Sequence, residues 1–82
     1  MELHIISPTS TNKLSIEWLE VETPKGSFVI QHGHAPLLLI LAHNKPITFV
    51  KTGSNKHESI PVGSGILESD RTQITIIMQD MK

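Results

Sequence analysis

Apolar and polar residues alternate in short runs along most of this chain, and turn-forming clusters separate the runs. "LHII" near the start gives way to "SPTSTNK", whose proline, serines, threonines and asparagine favour turn geometry. "LSIEWLEVE" follows and "TPKG" turns. "SFVIQ", "PLLLIL", "ITFVKT", "HESIPV", "GILES" and "QITIIMQ" complete the series, with turn composition at "GSNK" and "SDRT". Side chains two apart on a strand share a face, so this alternation predicts strands. Strands at spacings of about 8–12 residues with turn signals between them point to a sandwich or barrel. No stretch of adequate length has helical period. The expected fold class is all-β.

Three places break the alternation. Leu14, Ile16 and Trp18 share one phase, whereas Leu19 and Val21 share the other. Strict period two would send one set into water, so a β-bulge is expected near Trp18–Leu19, with Glu17, Glu20 and Glu22 facing solvent. "PLLLIL" is apolar on both faces, which suits a central strand or one that a partner covers. Ile6, Val50 and Ile77 are out of phase with Ile5, Phe49 and Ile76. Outward apolar residues of this kind are either tolerated surface or the mark of a partner.

The chain's 82 residues allow one domain and no second core. A chain of this size hides only about 60% of the surface that its unfolded form exposes, so its stability margin is thin. The absence of cysteine excludes disulfides and thiolate zinc sites, and it fits a reducing compartment. Seven basic and eight acidic residues give a formal charge of −1, which supplies no electrostatic footprint for nucleic acid. "MELHIISPTS" lacks the basic and apolar regions of a secretory signal. The longest apolar run, Pro36 to Ala42, is far short of the roughly 20 residues that span a bilayer. A soluble domain is expected, able to sit beside a membrane only through a membrane-bound partner.

Candidate chemistry is sparse. His32 and His34 are two apart and would point the same way on an extended strand, but zinc wants about four ligands. His4, His43 and His57 lie in separate segments without ligand spacing. The simpler reading makes Gly33 the turn, holds Ala35 extended before Pro36, and gives His34 a hydrogen bond at a corner between strands. "VGSGI" has Val62 and Ile66 where a nucleophile elbow requires glycines, so a Ser64–His57–Asp70 triad has no motif behind it. Its glycines suit a tight turn or a close approach of strands. "GSNKHES" lacks the second glycine and the helix of a phosphate loop. The three glutamates need a pocket to become an acid–base pair, and Trp18 is expected in the core or half-buried. No catalytic residue, metal site or cofactor is expected.

The order of four stretches resembles the N-terminal β-domain of the epsilon subunit of F-type ATP synthase, called delta in mitochondria. These are "LHIISP", "GSFVIQHGHAPLL", "IPVGSGILES" and "QITIIMQD", which together run from Leu3 to Asp80. The resemblance implies a flattened β-barrel or sandwich of about ten short strands. It also implies a non-catalytic rotor part linking the gamma subunit to the c-ring, at the cytoplasmic face of the membrane and without insertion into it. By the same resemblance, the histidine matching His34 lies on or near the gamma-facing surface. Ser27, Phe28, His32, His34 and Pro36 are the interface residues expected on this basis. Val29 stands where the family usually has glycine, Ser64 replaces the first of its paired glycines, and the turn at Pro24–Gly26, at the end facing the c-ring, is shorter than usual. The chain stops after its last strand, without the family's helical hairpin, so neither that hairpin's inhibitory role nor ATP binding is expected. Two other readings compete: a stand-alone β-domain adaptor for another protein, and a small enzyme or metal binder built on the histidines.

Overall fold

The computed structural model describes residues 1–79, and every regular element among them is a strand. The strands are β1 (Glu2–Ile6), β2 (Thr11–Thr23), β3 (Gly26–Gln31), β4 (Leu37–Ile40), β5 (Lys45–Lys51), β6 (His57–Val62), β7 (Ser64–Ser69) and β8 (Gln73–Gln79). Each grows from one of the alternating runs, and the turn-forming clusters fall between them.

The architecture follows from β2, which is 13 residues long. Its first part, Thr11 to Ser15, pairs with β1; its later part pairs with β3 and β5. One sheet therefore runs β4-β7-β8-β1-β2 and the other β3-β2-β5-β6, with β2 common to both. The register against β5 slips between Ile16 and Trp18, since Ile16 lies opposite Lys51 and Trp18 opposite Val50. That slip is the expected bulge. It turns the buried phase from Ile16 to Leu19 and Val21, so one strand feeds the same core from both sheets. Glu17 is exposed, whereas Glu20 and Glu22 are partly covered by their neighbours.

One expectation needs correction: among the described residues eight strands form rather than about ten, with β2 passing unbroken through both layers. The path is open, ending at β4 and β6, so of the two expected forms the fold takes the sandwich. As for "PLLLIL", β4 lies at the edge and pairs with β7 alone among the described strands. The central position is excluded.

The core lies between the sheets. Leu3, Ile5, Leu67, Ile74 and Ile76 from one sheet meet Leu19, Val21, Ile30, Ile47, Phe49 and Val62 from the other. Burying side chains of this size contributes about 1.5–3 kcal/mol each, and this dense packing makes the domain stiff. On the outside of the second sheet, Val50 is buried too. It lies in register between Trp18 and His57, whose rings meet edge to face with centroids 5.1 Å apart. The pair closes over the valine, and Trp18 is half-buried as expected.

Candidate functional site

The corner comes first. After β3 the chain turns at Gly33, whose φ of +82° lies in the left-handed region that glycine adopts without strain. The His34 backbone N–H donates to the Gln31 carbonyl (3.2 Å), and its ring Nδ1–H donates to the Ala35 carbonyl (2.7 Å). Nδ1 must carry a proton in that bond, since a carbonyl oxygen only accepts. Nε2 is buried and unpartnered, as is the hydroxyl of Ser69. His32 is exposed on the turn itself. The described residues contain no group of three or more His, Asp or Glu able to hold a metal.

The other chemical candidates fall apart in space. Ser64 and Asp70 sit at opposite ends of β7, roughly 20 Å apart at a strand rise of about 3.3 Å per residue, and His57 starts β6 in the other sheet. Asp70 has a structural task. Its Oδ1 accepts from the backbone N–H of Thr72 (2.8 Å) and of Gln73 (2.9 Å), and from the Thr72 hydroxyl (3.2 Å). Those backbone bonds hold its pKa below the ordinary carboxylate value, with a smaller pull from His34. Gly65 marks a close approach: a Cβ there would lie 2.9 Å from the Ile77 carbonyl oxygen.

The five residues expected at an interface do not form one cluster. Ser27 and Phe28 sit near the β2–β3 turn, where the Ser27 hydroxyl donates to Glu22 Oε2 (2.7 Å). His32, His34 and Pro36 lie at the far end of β3. Phe28 instead lines a groove together with Leu38, Leu39 and Ile40.

The most prominent surface was only half legible in the sequence. On the outer face of the first sheet, Ile40 lies opposite Ile66, Ile66 opposite Ile77, and Ile77 opposite Ile6. Four isoleucines thus form one row across four strands. Three are largely exposed, at 70%, 50% and 58% for Ile40, Ile66 and Ile77, and Leu38 at 69% adjoins the row. Ile6 and Ile77 betrayed themselves by phase. Ile40 and Ile66 gave the same signal, an apolar residue beside an inward leucine, but Ile40 lies in a run that reads as apolar on both faces and Ile66 in a run of only two apolar residues after a glycine. A continuous exposed row of this kind is the candidate contact surface of the domain.

Comparison with known proteins decides the family. The model of the ATP synthase delta/epsilon chain β-sandwich domain matches residues 1–82. The chain belongs to that family. A search of curated proteins finds no significant match. Among solved structures, the fold is similar to a chain of the Tetrahymena thermophila mitochondrial ATP synthase central stalk/c-ring. There the TM-score is 0.83 at 19% identity, over 98% of this chain and 63% of that one. A chain of the Euglena gracilis mitochondrial ATP synthase (OSCP/F1/c-ring, rotational state 1) gives 0.78 at 15% identity, over 93% of this delta/epsilon domain and 48% of that chain. The domain thus spans less than two thirds of either relative, and at these identities the likeness concerns the fold.

Proposed function

We infer that this delta/epsilon-type domain serves as a non-catalytic part of the central stalk of an F-type ATP synthase, joining the gamma subunit to the c-ring. The family match over residues 1–82 carries the reading. The exposed isoleucine row supports it, because a stalk component needs a broad contact and no substrate pocket. In this reading gamma covers the outer face of the first sheet, with the His34–Pro36 corner at its margin. The β2–β3 turn at Pro24–Gly26 meets the ring. The domain stands peripherally on the cytoplasmic side of the membrane. No helix among the described residues is long and apolar enough to cross a membrane. The physical contribution is stiffness: a sandwich packed as densely as an organic crystal passes torque between two partners with little lost as strain.

The test is capture from native membranes with the tagged chain, followed by identification of what accompanies it. Gamma and c subunits are expected, and Ile66→Glu should abolish their recovery while leaving the domain folded. Recovery of an unrelated protein in their place would establish the adaptor reading instead.

A further inference from the structure

We propose that the outer face of the second sheet carries a binding site for an arginine side chain presented by a protein partner, built from Glu17, Trp18 and the turn between β5 and β6. The starting point is the bulge. Between Ile16 and Trp18 the strand β2 takes two steps while β5 takes one, from Lys51 to Val50. Glu17 is the extra residue. Ile16 is buried in the core, so without the slip Trp18 would follow it inward and Glu17 alone would face out. The slip instead sets a carboxylate and an indole side by side on one face.

Both border a hollow of about 600 Å³, whose remaining lining comes from Val50, His57 and the Gly53–Asn55 turn. That turn is already fastened. The Thr52 N–H donates to the Ser15 carbonyl beside the bulge (2.9 Å), and the Ser54 N–H donates to the Lys51 carbonyl (3.0 Å). Glu17 is the only acid in the lining, and no lysine or arginine joins it there. Among the described residues, neither the Glu17 carboxylate nor the Asn55 side-chain amide has a hydrogen bond or ion pair. Lys51 is paired with Glu58 instead (3.6 Å). Covering Val50 accounts for the Trp18–His57 ring pair, but it uses neither Glu17 nor Asn55.

An unpaired carboxylate beside an indole suits a flat cation. A guanidinium stacks on tryptophan and gives a carboxylate two parallel N–H bonds, with further N–H groups left for the Asn55 carbonyl oxygen. An ammonium brings the charge without the plane. An anion meets repulsion from Glu17, and an apolar side chain would desolvate the carboxylate and the amide without partners. Glu17 is exposed, so one arginine alone binds weakly, in the millimolar range. The stalk reading leaves this face free, and the inference stands apart from it.

The experiment is an NMR titration of the full chain with N-acetyl-arginine amide, run beside the fluorescence of Trp18, the chain's single tryptophan. Saturable shifts are expected at Glu17, Trp18 and residues 53–57, with the indole emission changing over the same concentrations. N-acetyl-citrulline amide, flat but neutral, should leave these signals in place, and the lysine analogue should bind more weakly than arginine. Glu17→Gln should weaken arginine binding about three- to fivefold, near the most that an exposed ion pair supplies, without lowering the unfolding midpoint. No saturation by about 50 mM overturns the proposal. So does binding that Glu17→Gln leaves undiminished, that citrulline or lysine matches, or that moves the isoleucine row instead. Recovery of gamma and c subunits from membranes is a separate readout, so failure here leaves the stalk reading standing.

Discussion

Two rows of the first sheet differ by one residue in each strand. The inner row is Leu39, Leu67, Ile76 and Ile5; the outer row is Ile40, Ile66, Ile77 and Ile6. Both are wholly aliphatic and follow the same ladder. Leu67 and Ile76 are fully buried, whereas Ile66 and Ile77 keep half or more of their surface in water. Packing within the domain explains the first row and gives no reason for the second. Val50 shows that this fold can cover an outward apolar residue itself when an aromatic pair stands beside it. Among the described residues the outer isoleucines have no such cover.

The largest expected effect comes from cutting the inner row. Leu67→Ala should cost about 2–5 kcal/mol, against a total stability of roughly 5–15 kcal/mol for a domain. Ile66→Ala, its chain neighbour, should stay within about 0.5 kcal/mol in the isolated chain. Denaturant unfolding of the two variants measures the contrast directly. Equal losses would mean that the outer row is part of the domain's own packing.

Gly65 tests how closely the two strands beneath the outer row must lie. A Cβ there meets the Ile77 carbonyl oxygen at 2.9 Å and the Met78 side chain at 3.2 Å. Gly65→Ala should therefore destabilise by about 1–3 kcal/mol, the usual range for overpacking. The β7–β8 ladder is expected to shift with it, and amide exchange on β8 would report that shift. An unchanged midpoint would show that the strands can separate freely.

Much of this arrangement was legible in the sequence, because a strand declares its inward face by period two. The slip from Ile16 to Leu19 announced the bulge, and the Gly33 corner followed from its glycine and the proline at position 36. Period two fails where both phases are apolar, as in "PLLLIL" and "GILES". There it cannot separate a central strand from an uncovered edge. Placement of β4 depends on pairing with β7, where Leu39 meets Leu67, 28 residues further along, and local composition does not encode that partner. For the same reason the expected interface residues scattered. Ser27 and Phe28 are close to His32–Pro36 in the chain, but an extended strand carries them to opposite ends.

The smallest effect concerns the turn that joins the two strands at the centre of both rows. Asp70 is exposed, and its carboxylate holds the β7–β8 turn through the N–H groups of Thr72 and Gln73. These bonds lower its pKa from the ordinary 3.8. The folded state therefore binds the proton less readily than the unfolded chain. The turn's contribution is complete above the ordinary carboxylate value and fades as pH falls through the lowered one. Asn at this position keeps an acceptor oxygen but loses the charge. Asp70→Asn should thus melt slightly below the parent at neutral pH, and the gap should close in acid as pH falls through the lowered pKa and the parent carboxylate is protonated. Glu2, held low by its bond to His4, adds a slope of the same sign, but it is present in both proteins and cancels in the difference. Melting curves of the pair at several pH values measure the gap. A constant gap across the acid range would mean that hydrogen-bond geometry alone, without the charge, secures the turn on which both rows depend.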